Sequence, residues 1–483
     1  MLLFNYSVEQ KVDFIKNKQE CAEEIKKVGF FDLENSKGES IWDRFLHSQP
    51  SEIRDGTSIE DVDISCDFYH KFRDDIKIAK DLGLNCFRFS ISWCRVLPSG
   101  NINDINEDGI NYYHQVIDAI LENGMEPMVT LYHYDLPQKL QDMGGWCNPN
   151  LVSYFVDYAR LMFEVYGPKV KLWTTFNEPT EMVHGFIERR YAPYLSLECF
   201  DADYIVGHNL LKAHAKAYRL YEKEFKPAQK GKCSIVLCGL NFKPKTDSED
   251  DKKAAIRARQ FTLGWFAHPI YSEKGDYPPI MRELIDKKSA EQGDIRSKLP
   301  QFTDEEIKEI RGTCDYFAFN HYTSALASDN KTNAKTMYRY RHSDVFVEFG
   351  KDWPPTGAHW AKVCPWGLRE ALCWIKEEYN NPPVFVTENG FCDHGEINDV
   401  NRIKYLKSYI LELLNAVDDH KCNVIGYNIW TLLDCLEWLN GYSHKYGLVH
   451  VDFKSPTRER TLKFSASYVK RICELGGIPD DDY

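Results

Sequence analysis

The chain has 483 residues, of which 43% are hydrophobic and 14% aromatic, which suits a globular protein with a large core. Its formal net charge of −13 comes without any basic block, so nucleic acid and anionic membranes are poor partners and a neutral or cationic small substrate fits better. No membrane span is predicted, and the apolar start at residues 1–6 is too short for a secretory signal. The chain as written is therefore expected in the cytoplasm, or outside the cell if the native start differs. The fifteen scattered cysteines contain no CxxC pair, so they are interpreted as free thiols rather than a metal or redox site.

Helical and strand-like patterns alternate along most of the chain, after a charged first thirty residues that look helical. Helices are predicted at 67–82, 110–121, 151–165, 203–225, 305–311, 367–378 and 401–418. Strands are predicted at 86–93, 128–133, 171–177, 234–240, 316–322, 384–387 and 424–430. A long irregular section is expected between the fourth strand and the helix at 305. This alternation favours a parallel sheet with helices outside it.

The pattern fits an α/β fold, specifically a single (β/α)8 TIM barrel, better than an open doubly wound sheet. An open sheet would need a glycine-rich phosphate loop after its first strand, and none is present. Only seven strands are clear, and the candidate for the eighth is the short segment 27–31, so the first strand is degenerate or atypical. We therefore divide the chain into an atypical segment, 1–36, and one barrel domain, 37–483. Six of the seven strands end in polar or aromatic residues, where a barrel carries its active site.

Two stretches place a carboxylate at the end of a buried strand. One runs from Val384 to Gly390 and contains Glu388; the other runs from Leu172 to Pro179 and contains Glu178. A buried ionised carboxylate costs free energy unless it has partners or a task. Two such acids facing each other suit hydrolysis of a glycosidic bond. Either acid alone can equally well cap the helix that follows it, and that interpretation stays open.

Further motifs make the chain resemble glycoside hydrolase family 1, the β-glucosidase family of retaining enzymes, and most closely its insect members. The resemblance spans about residues 37–467. The matching segments are 175–179 (TFNEP), 387–390 (TENG), 88–93 (RFSISW), 131–138 (LYHYDLPQ), 320–322 (NHY) and 430–442 (WTLLDCLEWLNGY). The resemblance implies a TIM barrel that hydrolyses β-D-glycosides without a cofactor.

The resemblance also implies roles for individual residues. Glu388 would be the nucleophile, kept ionised by Arg88 and hydrogen-bonded by Tyr322, and Glu178 would be the general acid and then the general base. The expected sugar contacts and supporting side chains are Asn177 (2-hydroxyl), His133 (3-hydroxyl), Trp430 (ring face), Glu437 and Trp438 (4-, 6- and 3-hydroxyls), Asn320, and Trp360 (leaving-group wall). His133, Arg88, Trp430 and Trp360 each also fit an ordinary structural role.

The chain departs from the family pattern at its start and after His133. The family has a sugar-binding glutamine near position 27, whereas the nearest glutamine here is Gln19, and Tyr134 stands where tryptophan is common. Altered specificity, a decayed enzyme or an unrepresentative start would each explain the first departure.

The favoured hypothesis is a retaining β-glucosidase with some tolerance for β-fucosides or β-galactosides. One alternative is a catalytically impaired sugar-binding member of the fold. Another is a myrosinase-like thioglucosidase, which would need a basic residue facing an anionic leaving group. Arg189 and Arg190 are the nearby cations considered for this role, although they fit solvated loop positions better. The sequence sets neither the aglycone, for which long loops such as 325–362 are the expected selectors, nor the oligomeric state.

Overall fold

A computed structural model describes residues 37–185, 191–193, 202–330 and 338–479 of the chain. Its strands are β1 (Cys86–Ser90), β2 (Glu126–Tyr132), β3 (Leu172–Asn177), β4 (Lys232–Cys238), β5 (Asn241–Pro244), β6 (Phe317–Asn320), β7 (Ser324–Asp329), β8 (Val345–Glu348), β9 (Val384–Asn389), β10 (Val424–Ile429), β11 (Val449–Val451) and β12 (Arg460–Leu462).

The helices cover the outside of the main sheet and the loops above it. They are α1 (Ile41–Ser48), α2 (Ile59–Ile64), α3 (Phe68–Asp81), α4 (Trp93–Val96), α5 (Glu107–Glu122), α6 (Gln138–Gln141), α7 (Leu151–Tyr166), α8 (Pro179–Gly185), α9 (Ala202–Leu220), α10 (Lys226–Gln229), α11 (Glu249–Phe261), α12 (Leu263–Tyr271), α13 (Pro279–Glu291), α14 (Asp304–Ile310), α15 (Pro365–Glu378), α16 (Val400–Asp418) and α17 (Phe464–Leu475). A π-helical stretch, Tyr221–Phe225, joins α9 to α10.

The seven predicted strands form one parallel sheet in the order β1-β2-β3-β4-β6-β9-β10. Because each strand follows its neighbour in sequence, with helices between, the sheet curls into a nearly closed barrel, which is the predicted fold class. All carboxyl ends consequently point to one rim. The candidate for the eighth strand, 27–31, lies outside the described residues, as do the helix expected before it and Gln19.

The expectation of an irregular section after β4 was wrong, because this section contains α11, α12 and α13. Helix α11 has only a weak apolar periodicity, because it is highly charged and its buried face consists largely of Ala254, Ala255 and Ala258. Helix α12 contains Pro269, which normally breaks a helix. A small three-stranded sheet, β5-β7-β8, was likewise not predicted.

No helix among the described residues is both long and apolar enough to cross a membrane.

A buried ion network fixes the loop that follows β9. Arg402, with 1% of its side chain exposed, donates to Asp399 Oδ2 at 2.7 Å and also pairs with Asp393. The same guanidinium donates to the backbone carbonyls of Phe391 and Tyr446. Because Phe391 lies three residues after Glu388, this network holds the chain immediately beyond the barrel rim.

We expect Arg402→Met to lower the free energy of unfolding by about 3–5 kcal/mol, because it leaves two buried carboxylates without this partner. The exposed pair Arg160–Glu224 gives a matched control, with side chains 40% and 44% exposed. For Arg160→Met we expect a loss of at most about 1 kcal/mol. Urea denaturation of the three proteins measures both, and equal losses would contradict a stabilising role for the buried network.

Candidate active site

The rim formed by the carboxyl ends of the strands gathers the polar residues predicted from the sequence. Asn177 ends β3 and Glu178 follows it, Asn320 ends β6, and Glu388 is the second-to-last residue of β9. Strand pairing places Asn320 opposite Glu388. A parallel barrel thus brings side chains together that lie far apart in sequence.

The Glu388 carboxylate is held by one donor on each oxygen. Arg88 Nη1 donates to Oε1 at 2.6 Å, and the phenol of Tyr322 donates to Oε2 at 2.8 Å. The ion pair is nearly buried, with side chains 8% and 6% exposed. A cation and a phenol donor both favour the ionised form of a carboxyl group. This environment therefore suits a carboxylate that stays charged.

Glu178 lies in a different electrostatic environment, although both of its oxygens also accept hydrogen bonds. Asn320 Nδ2 donates to Oε1 at 2.7 Å, and Tyr134 Oη donates to Oε2 at 2.6 Å. Burial, and then the negative charge of Glu388, raise the pKa of Glu178 well above its ordinary value despite these donors. A glutamic acid with a raised pKa can carry a proton near neutral pH.

A chain of hydrogen bonds joins the two carboxylates. Arg88 donates to Glu388 through Nη1 and to Asn177 Oδ1 through Nη2 at 2.7 Å. Asn320 Nδ2 lies 3.3 Å from the same Asn177 oxygen while it donates to Glu178. Thr387 in turn donates to Asn320 Oδ1 at 2.6 Å, which fixes the orientation of that amide. Glu178 and Glu388 are thus linked through only three side chains.

An aromatic wall borders these carboxylates. The His133 ring lies 6.1 Å from both the Trp430 and the Trp438 rings, in stacked geometry. His133 Nε2 is 3.2 Å from Asn177 Nδ2, and because the amide nitrogen can only donate, His133 Nε2 is the acceptor. Burial and the nearby Arg88 lower the pKa of His133 to about 3, so the ring is neutral and its other nitrogen carries the proton.

Glu437 and Trp360 complete the set of predicted site residues. Glu437 precedes the 3₁₀ turn Trp438–Asn440, and burial together with the charge of Glu388 raises its pKa to about 8. Trp360 is half-buried and meets the Tyr322 ring edge-on at 5.7 Å. Trp360 therefore lies beside a partner of Glu388, and Glu437 lies close enough to Glu388 for the charge of Glu388 to act on it.

Sequence reasoning missed several neighbours of this site. Tyr134 was noted only as a replacement for tryptophan, yet it contacts Glu178. Glu181, one helical turn later, forms a two-bond ion pair with Arg339, and Trp42 lies 4.6 Å from the Trp438 ring. These contacts join segments far apart in sequence, and no local pattern announces them. Arg189 and Arg190, considered for an anionic leaving group, lie outside the described residues.

Within the part of the chain that the structure describes, no group of three or more histidine, cysteine or acidic side chains is placed to hold a metal ion.

Comparison with known proteins agrees with this geometry. Myrosinase 1 of Brevicoryne brassicae is 48% identical over 92% of this chain and 94% of its own length, and human cytosolic beta-glucosidase is 38% identical over the same shares. The solved structure of aphid myrosinase superposes with a TM-score of 0.87 at 46% identity, covering 92% of this chain and 94% of that one. The model of "Glycosyl hydrolase family 1" matches residues 29–478. The chain therefore belongs to glycosyl hydrolase family 1.

Proposed function

We propose that this chain is a retaining β-glycosidase that releases terminal β-D-glucose from β-glucosides, with Glu388 as nucleophile and Glu178 as general acid and base. One observation carries the assignment of roles: the two linked carboxyl groups have different hydrogen-bond partners. Glu388 is paired with the cation Arg88, whereas Glu178 accepts from two neutral groups, Tyr134 and Asn320, and has a raised pKa. Retaining hydrolysis requires one carboxylate that acts as the nucleophile and one carboxylic acid that carries a proton.

In the first step, Glu388 attacks the anomeric carbon while Glu178 gives its proton to the leaving oxygen. The bond from carbon to the leaving group breaks as the bond to a Glu388 oxygen forms. The positive charge of Arg88 keeps Glu388 available as the anion, and the phenol of Tyr322 orients the second oxygen. Asn177 lies between both acids, where it can hydrogen-bond the sugar 2-hydroxyl.

In the second step, water attacks the glycosyl-enzyme, and Glu178 takes the proton from that water. The esterified Glu388 no longer carries the charge that raised the pKa of Glu178. The pKa of Glu178 consequently falls just when the residue must act as a base. The same pair of side chains therefore serves both steps.

The sugar pocket follows from the aromatic wall. We assign the 3-hydroxyl to the neutral His133, the ring face to Trp430, and the remaining hydroxyls to Glu437 and Trp438. Trp360, beside Tyr322, is assigned to the leaving-group side. An aromatic face with a few convergent polar groups is the usual composition of a small-molecule site.

Proton NMR of fresh reaction mixtures tests this function. With an aryl β-D-glucoside, the first glucose released is expected to be the β-anomer, because two successive displacements restore the configuration. An activated 2-fluoroglucoside should label the peptide that contains Glu388. A first product in the α-form would overturn the retaining mechanism. Binding without hydrolysis or labelling would instead establish the sugar-binding alternative.

A second candidate, a thioglucosidase, is favoured by the 48% identity to a myrosinase. The O- and S-linked glucosides of one aglycone, each with and without a sulfate group, separate the two functions. A thioglucosidase should prefer the S-linked, sulfated compound. The presence of Glu178 as an acid favours the O-linked one, because an oxygen leaving group needs a proton more than a thiolate does.

A further inference from the structure

Tyr134 is the part of the acid/base environment that the proposed function leaves without a task. Its phenol donates to Glu178 Oε2 at 2.6 Å, and Asn177 Nδ2 lies 3.4 Å from the same phenol oxygen. The other Glu178 oxygen is covered by the Asn320 amide. Every change in the protonation of Glu178 must therefore be accommodated by these two neighbours.

The two neighbours differ in what they can accept. The Asn320 Nδ2 group can only donate hydrogen bonds, and the orientation of this amide is fixed because its oxygen accepts from Thr387. A phenol hydroxyl both donates and accepts, and it rotates. When Glu178 is ionised, Tyr134 can donate to Oε2; when Oε2 carries the proton, the same hydroxyl can turn and accept.

We propose that Tyr134 is a positioning residue for the acid/base step, holding Glu178 Oε2 in both protonation states by reversing its own hydrogen bond. The inference rests on the proposed function, since it needs Glu178 to cycle. The proton passes from Glu178 to the leaving oxygen in the first step and from water to Glu178 in the second. Tyr134 neither loses nor gains a proton, and burial and the charge of Glu178 raise its pKa well above the ordinary value.

The backbone conformation of Tyr134 indicates that this side chain is held in place for a specific role. Tyr134 has φ +73°, a left-handed conformation that costs free energy for a residue with a side chain. The segment is fixed on both sides of this residue. Strand β2 ends two residues before it, and the backbone N–H of Gln138 donates to the backbone carbonyl of Glu39 at 2.8 Å. The phenyl ring is also packed 5.1 Å from the Trp438 ring. Strain at a residue held this firmly is typical of functional sites.

Other groups also act on Glu178. Glu388 from β9 and Glu181 from α8 raise its pKa, and Glu181 is itself neutralised by Arg339. Besides Tyr134, the titratable groups near it that stay neutral include Tyr322 and Cys238, whose pKa values are raised well above the ordinary range. None of these side chains changes in Tyr134→Phe. A change in the titration of Glu178 in that variant therefore reports the lost phenol.

The test is the pH dependence of kcat/KM, whose alkaline limb reports the acid in the free enzyme. Tyr134→Phe removes a donor to the carboxylate and should move the alkaline limb upward by about one pH unit. Replacing Tyr134 with 3-fluorotyrosine keeps the shape and makes the phenol a stronger donor, so the limb should move downward. Opposite shifts from two variants of one residue are not expected of a merely structural side chain.

Two controls separate this inference from the proposed function. Tyr132→Phe, at the end of β2 and two residues before Tyr134, should leave the alkaline limb in place, and Glu178→Gln, which removes the acid itself, should abolish it. If Glu178→Gln kept the alkaline limb, the proposed function itself would fail. If Glu178→Gln lost this limb while both Tyr134 variants left it in place, only the role of Tyr134 would be overturned.

Discussion

Replacing Glu388 with glutamine is expected to lower kcat on an aryl β-glucoside by about 10⁴-fold or more, because no nucleophile remains to form the glycosyl-enzyme. The side chain keeps its size, so Arg88 and Tyr322 stay in place while the charge disappears. Initial-rate kinetics measure the loss. A variant with wild-type turnover would show that the nucleophile lies elsewhere.

The shorter Glu388→Ala variant tests whether Glu388 is the residue that attacks the anomeric carbon. Added azide can enter the vacated space and attack the anomeric carbon in a single displacement, which gives the α-glucosyl azide. Glu437→Gln is the matched control, since Glu437 is also buried, with its pKa raised to about 8, but has no assigned bond to the anomeric carbon. We expect it to weaken catalysis without producing the azide adduct, and an adduct in this control would contradict the assignment.

Removing the Glu388 charge has a second consequence that infrared spectroscopy can detect. That charge raises the pKa of Glu178 and of Glu437, so both pKa values should fall in Glu388→Gln. A pH titration followed by the carboxyl stretching bands would show this fall in both pKa values. Unchanged values would mean that the charge of Glu388 does not contribute to them.

The barrel was predictable because its strands are short β-branched and aromatic runs, most of them followed or ended by a polar or aromatic residue, as in Val384–Asn389. Helix α11 was missed because a face of alanines gives almost no hydrophobic period against a charged background. The two acids were found from their positions at strand ends and from the family resemblance. The contact of Tyr134 with Glu178 depends on a left-handed backbone and on side-chain reach across two strands, which no local pattern encodes.

Glu178→Gln should produce a loss that depends on the leaving group. For a poor leaving group such as an alkoxide, protonation is indispensable, and kcat/KM is expected to fall by about 10²–10⁴-fold. For 2,4-dinitrophenolate, which leaves without a proton, kcat/KM should change little. The contrast arises because glutamine keeps the acceptor for Asn320 while it removes the transferable proton.

The same variant should stall after the first step with the activated substrate, because no base remains to deprotonate water. Azide, which needs no deprotonation, should then restore kcat and yield the β-glucosyl azide, the opposite anomer to that from Glu388→Ala. The alkaline limb of kcat/KM, assigned to Glu178 because its pKa is raised, should vanish. Equal losses across leaving groups, with no azide product, would show that Glu178 orients the substrate rather than moving a proton.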